Sequence, residues 1–211
     1  MKLKGKRVVI LVAHEFEDIE ALYTVVRLSE EGARITVATL PLEATGHFHP
    51  RPYFPSKPVT GRFGSTVPFY VLEEGKRWVH RSTDDLRAED YDGVVIPGGF
   101  APDFLRCDPK VLSFVASMYR HGKIVAAICH GPQVLISTDA VEGTDIIRGK
   151  KVSSWLAVRD DIGNAGGQWV DVPAVRQGNV ITGQCPDSLP EFCQEIIGAL
   201  SQASKGLDTA L

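Results

Sequence analysis

Long apolar runs are missing from these 211 residues, and none approaches the roughly 20 that a bilayer-spanning helix needs. An excess of positive charge is missing too. Lys and Arg number 23 against 26 Asp and Glu, for a net charge of −3 and a pI near 6.1, which argues against a nucleic-acid partner. The four cysteines, Cys107, Cys129, Cys185 and Cys193, form no CxxC pair, and no histidine stands at a zinc-like offset from them. No metal site is expected, and a disulfide framework does not suit a chain long enough to build its own core. Internal repeats and low-complexity tracts are absent. Histidine is absent after His130, which excludes a catalytic histidine downstream of the central cysteine.

What is there reads as an ordinary globular protein, 44% hydrophobic and 23% charged, with one domain expected over residues 1–211. The N-terminus carries signal-like lysines. Its apolar stretch Val8 to Ala13 is too short for a signal peptide and runs straight into acids, so it predicts a first strand in a cytoplasmic protein. Arg7 to Ala13 is nearly all apolar, as a strand buried on both faces would be. A helix follows on Ile19, Leu22, Tyr23 and Val26, with Gly32 past its end, and Ile35 to Leu40 is a second strand. Residues 93–96 are a short central strand stopped by Pro97-Gly98-Gly99. Asp108-Pro109 opens a helix, Lys123 to Ile128 is the next strand, another lies near Val152, and residues 189–200 make an amphipathic closing helix. The alternation predicts a mostly parallel sheet with helices on both faces, whose site lies beyond the strand C-termini. Residues 41–70 hold six of the 13 prolines, with His47 and His49, and read as a lid, an oligomer contact or a short hairpin. The tail after Ser201 is expected to fray.

Ala127-Ile128-Cys129-His130-Gly131-Pro132 carries the chemistry. An apolar strand running into a cysteine, with small residues in the turn and a helix behind, has the form of a nucleophile elbow. The helix N-terminus predicts a thiol pKa below the ordinary value of about 8.5, and its N–H groups suit an oxyanion. The plain alternative is a small hydrophobe in a strand-end pocket. An imidazole base must be His130 itself, or His14, His47, His49, His80 or His121, and only His14 falls at a strand end on the active-site edge. Glu15, Glu17, Asp18 and Glu20 follow the first strand at that edge. The helix dipole explains acids there, while one turned inward could share a proton with the thiol. Pro97-Gly98-Gly99-Phe100-Ala101-Pro102-Asp103 ends a third strand, where paired glycines let backbone N–H groups approach a ligand.

Together with Glu15-Phe16-Glu17-Asp18-Ile19-Glu20 and the run from Arg159 to Asp171, these motifs resemble the DJ-1/PfpI superfamily, in its PfpI-like branch, over Arg7 to Leu200. The resemblance implies a flavodoxin-like α/β three-layer sandwich with a mostly parallel central sheet. It implies Cys129 as nucleophile, Glu20 as the acid bonded to its sulfur, Glu17 in support, His130 beside the cysteine, and Gly98 and Gly99 at an oxyanion pocket. Asp103 matches an acid that orients the histidine from a neighbouring subunit, in a homodimer or larger homo-oligomer. This acid is commonly Glu in the family, one methylene longer. The family's Ser-Arg before the last helix reads Gly183-Gln184 here, which leaves out a basic contact near the pocket. The implied activity is glyoxalase- or deglycase-like, on small reactive carbonyls or their adducts, with no cofactor. The alternatives are a cysteine peptidase acting on peptides, and a redox sensor or holdase that oxidises Cys129.

Overall fold

The computed structural model describes residues 1–41, 58–69 and 72–202. His47, His49, most of the proline-rich stretch and the tail lie outside the described residues.

In chain order the elements are β1 (Arg7–Val12), α1 (Asp18–Glu30), β2 (Arg34–Thr39), a hairpin of β3 (Val59–Thr60) and β4 (Thr66–Val67), β5 (Trp78–Ser82) and β6 (Gly93–Ile96). There follow α2 (Ala101–Leu105), α3 (Pro109–Arg120), β7 (Ile124–Ile128), α4 (Pro132–Glu142), β8 (Lys151–Val152), α5 (Arg159–Asn164), β9 (Gln168–Trp169), β10 (Ala174–Gln177), β11 (Val180–Gly183) and α6 (Leu189–Gln202). Seven strands make one sheet in the order β10-β11-β7-β6-β1-β2-β5. All of its pairings are parallel except β10 with β11. Every residue of β6 and β7 is buried, which is why their sequences, GVVI and IVAAI, show no polar alternation. Each such Val or Ile contributes roughly 1.5–3 kcal/mol by leaving water.

Helices cover both faces, as right-handed crossovers on either side of β1 require. Ala21, Thr24, Val25 and Leu28 form the buried stripe of α1. This helix packs on α6, and Thr24 Oγ1 lies 4.0 Å from Cys193 Sγ. On the opposite face α2, α3 and α4 pack together. The Asp108 side chain caps α3 by accepting from the N–H groups of Lys110 and Val111 at 2.8 and 3.4 Å.

The expected strand near Val152 is a two-residue β8 that pairs only with β9, outside the main sheet. The chain leaves β1 for β2 on one side and later returns to β6 on the other. This reversal opens a crevice beyond the C-terminal ends of β1 and β6, next to β7.

Candidate active site

Cys129 ends β7 at φ +61°, a left-handed conformation that non-glycine residues rarely adopt. The strain is held by its neighbours: the Cys129 N–H donates to Gly183 O at 3.0 Å, the Gly131 N–H to Ile128 O at 2.8 Å, and the Trp155 N–H to Cys129 O at 3.0 Å. The residue is 7% exposed. Gly98 lies directly against it. A Cβ on Gly98 would stand 2.6 Å from Cys129 Cβ and 3.0 Å from its sulfur, so only glycine fits. Gly99, at φ +75°, lets the loop after β6 meet the loop after β1, where the Phe100 N–H donates to Glu15 O at 2.8 Å and the Glu17 N–H to Gly98 O at 3.1 Å.

Glu20 sits in the first turn of α1, fully buried. Its Oε2 accepts the Gly98 N–H at 2.6 Å, while Oε1 has no hydrogen-bond partner of ordinary geometry. The Cys129 sulfur is near enough for each group to shift the other's titration. Burial pushes the Glu20 carboxyl up to about 7, with the Gly98 N–H opposing. Burial first, and the Glu20 carboxylate second, push the Cys129 thiol up as well, against the N–H groups of Gly99 and His130. The expectation of a depressed thiol is therefore corrected. The helix behind the elbow has little to give the sulfur: Pro132 has no N–H, and the next two donors are taken, Gln133 by His130 O and Val134 by Gly131 O, both at 3.0 Å. Glu20 and Cys129 thus titrate as a pair, and one proton between them is the favoured state above neutral pH.

Among the described histidines, His130 is brought to the thiol, with Nδ1 at 3.4 Å from Cys129 Sγ. Burial lowers its pKa, the Asp103 carboxylate raises it, and Arg62 lowers it, so the imidazole is neutral at pH 7. Asp103, exposed on α2, acts on that ring through space within the same chain. No hydrogen bond joins the two among the described residues. The Nδ1 of His14 instead accepts from the Thr60 N–H at 3.4 Å, under the hairpin.

Three residues carry roles that the sequence did not reveal. Asp18 is more than a helix-dipole acid: its carboxylate accepts the N–H groups of Phe63 and Ser65 at 2.8 and 2.7 Å and clamps the β3–β4 hairpin. The hairpin carries Arg62, whose guanidinium lies 3.4 Å from Glu17 Oε2. Burial pushes the Glu17 carboxyl up and Arg62 pulls it back. Trp155 sets its ring 6.4 Å from that of His130. The only signal for Arg62 was the position of its hairpin within the irregular 41–70 stretch.

A separate cleft of about 500 Å³ at the other end of the sheet is lined by Arg7, Arg34, Trp78 and Tyr91 among others, with no cysteine or histidine. Among the described residues no group of three or more His, Cys, Asp or Glu is placed to hold a metal. No helix among them is long and apolar enough to cross a membrane.

Known proteins resemble this chain in sequence and fold. A protein of Pyrococcus horikoshii named Deglycase PH1704 is 34% identical over 194 residues, which cover 92% of this chain and 99% of that one. An uncharacterized protein of Archaeoglobus fulgidus is 39% identical over 196 residues, covering 93% of this chain and 99% of its own. Among solved structures, a two-domain protein of Anabaena variabilis with DJ-1/ThiJ/PfpI-like and ferritin-like domains superposes with a TM-score of 0.73 at 32% identity, over 92% of this chain and 50% of that one. The family model of DJ-1/PfpI matches residues 6–199, and the chain belongs to the DJ-1/PfpI family.

Proposed function

We propose that the protein is a cysteine-dependent enzyme that acts on small reactive carbonyl compounds or their adducts, in the manner of a glyoxalase or deglycase. One observation carries this reading: a fully buried carboxylate, poised near neutral pH, shares its surroundings with a strained, buried thiol and a neutral imidazole. The 34% identical relative that bears the name deglycase points the same way. The narrow, largely buried surroundings of Cys129 suit an aldehyde better than a folded peptide chain.

The thiol proton passes to Glu20 as Cys129 Sγ bonds to the aldehyde carbon, and the carbonyl π pair moves onto oxygen. That oxygen faces the N–H groups of Gly99 and His130 and takes up the proton from Glu20, giving a neutral hemithioacetal. With a 2-oxoaldehyde, neutral His130 can then move the adduct's C–H proton to the adjacent carbon while the adduct's hydroxyl proton passes to the ketone oxygen. The resulting thioester is hydrolysed by water to a 2-hydroxy acid and the free thiol. Atoms and electrons balance within substrate and water, so the scheme draws on no external oxidant.

The same reading makes the active form a homo-oligomer, with Asp103 contributing across a subunit contact. Exposed Phe63, Phe100, Trp155 and Leu156 around the site offer apolar surface for such a contact.

The test follows methylglyoxal loss and lactate formation in the native protein and in Cys129→Ser. Lactate formed only with the cysteine supports the proposal. Peptide release without carbonyl turnover, or sulfinate formation at Cys129 with no turnover of either kind, would overturn it in favour of a peptidase or a redox protein.

A further inference from the structure

We infer that Arg62, set beside Glu17 by the β3–β4 hairpin, favours electrophiles at Cys129 that carry a carboxylate next to the reacting carbon. The inference rests on Cys129 as the nucleophile of that reading, names the class of electrophile that this thiol prefers, and has a test that does not depend on turnover.

The hairpin is fastened at several points. The Glu15 N–H donates to Thr60 O at 2.7 Å, the Arg62 N–H to Phe16 O at 3.0 Å, and the Gly61 N–H to Ser65 O at 2.7 Å. Gly61 lies so close to Asp18 that a Cβ there would stand 2.5 Å from its carboxylate oxygen. The backbone that carries Arg62 is therefore fixed relative to β1 and the start of α1. The guanidinium itself is fixed by ring contacts, with its carbon 5.9 Å from the Phe63 centroid and 5.1 Å from that of Phe100. One fork nitrogen meets Glu17 at 3.4 Å, a long contact that leaves donors of the fork unused, and 40% of the Arg62 side chain is exposed. Its charge also reaches inward, acting on Glu17, Glu20 and His130.

These positions make Arg62 decisive for an incoming anion. Glu17 and Glu20 bring two carboxyl groups to the thiol's side of the site and Asp103 a third to His130, and among the described residues the cations shown acting on them are Arg62 and, when protonated, His130. A negatively charged compound that approached Cys129 without Arg62 would meet the repulsion of these carboxylates with only the Gly99 and His130 N–H groups to offset it. With Arg62 in place, a carboxylate one carbon from the reacting centre can bond to the free part of the fork while its neighbour reaches the sulfur. A neutral carbonyl compound gains nothing from that fork.

Two alkylating reagents of nearly equal shape separate charge from reactivity. Iodoacetate carries a carboxylate beside the reacting carbon, and iodoacetamide carries a neutral amide there. Rates at Cys129 are read by peptide mass spectrometry, in a Cys107→Ser background that removes the exposed competing thiol. Any change in sulfur reactivity or thiol pKa acts on both rates and cancels in their ratio. Arg62→Ala is expected to lower the iodoacetate-to-iodoacetamide ratio about tenfold at low salt, the scale of one unscreened charge pair in a partly buried site. Arg62→Lys should keep most of the ratio. Glu17→Gln, which frees the guanidinium, should raise it. A ratio within twofold of the parent in Arg62→Ala overturns the inference. So does an Arg62→Lys ratio as low as that of Arg62→Ala, since packing and not charge would then be responsible. If the ratio responds as expected but no carbonyl compound turns over, the anion-selective thiol stands and the carbonyl chemistry falls.

Discussion

Replacing Glu20 by glutamine should make the protein more stable in base than in acid, relative to the parent. In the folded chain the Glu20 pKa is about 7, against 4.5 for the unperturbed group. Below pH 4.5 the folded and unfolded chains both hold the proton, so the carboxyl adds no pH dependence. Between pH 4.5 and 7 the unfolded chain releases the proton and the folded chain keeps it, so stability falls as pH rises. Above pH 7 both have released it, and the folded state carries the full penalty of a buried charge, about 3 kcal/mol for a shift of this size. Glutamine cannot ionise, so it removes that penalty. In acid both side chains are neutral acceptors for the Gly98 N–H, and the amide's own N–H groups, buried where Oε1 has no partner, cost about 1 kcal/mol at every pH. Urea titrations of both proteins at steps from pH 4 to 8.5 would show the difference directly. Glu17, His14 and His80 titrate in both and largely cancel. The variant should start slightly less stable and gain about 3 kcal/mol on the parent by pH 8. A difference that stays flat across that range would refute the burial of an ionisable Glu20 and, with it, the shared proton.

The iodoacetamide rate at Cys129 should rise with pH through about 7, because loss of the first proton from the Glu20–Cys129 pair makes the thiolate form accessible. In Glu20→Gln that step disappears and the rise should move above the ordinary thiol value of about 8.5; the same midpoint in both proteins would dissociate the acid from the thiol. Gly98→Ala should destabilise the fold by about 1–3 kcal/mol and slow alkylation of Cys129, since its Cβ would overlap the cysteine Cβ at 2.6 Å. An unchanged melting temperature and alkylation rate would count against that contact. Mixed oligomers of Cys129→Ser and Asp103→Asn should recover part of the activity that each lacks alone, because an intact Cys129 and His130 would meet an intact Asp103 from the partner. Verified heteromers with no recovery would confine Asp103 to its own chain, where its carboxylate already acts on His130.

The sequence made the parallel framework legible where burial on both faces removes polar residues. β1, β2, β6 and β7 are of this kind, and they match the expected strands within one or two residues. It failed where strands are short or half-exposed. Trp78–Ser82 alternates large, charged and polar residues at the sheet edge, and Ala174–Gln177 is partly exposed along its length, so neither stands out as an apolar run. β3 and β4 are two residues each, too short for any period to appear. The helix signals fared better. Asp108 caps through its own side chain and Pro109 fills the first helical position, both local effects that a linear reading can find.

The site divides along the same line, between local causes and contacts made across the chain. The elbow at Cys129 is local: a buried strand, a cysteine and small residues after it force the turn, and φ +61° is the outcome. The thiol's titration is not local. A reading along the chain saw a helix N-terminus and inferred a depressed pKa. It could not weigh the burial of Cys129 beneath the glycine loop, or a carboxyl brought from 109 positions away by the α1 turn. The same applies to Arg62, which looked like one residue of an irregular stretch until Asp18 fixed its hairpin beside Glu17. Glu17 and Glu20 cannot gather beside a buried thiol without something to hold their charge. Here a shifted proton on Glu20 and the guanidinium of Arg62 do so, and neither can be assigned from the acids' own positions in sequence. An unexplained cluster of acids at a strand end is therefore itself a sign that a cation or a retained proton is supplied from elsewhere in the chain.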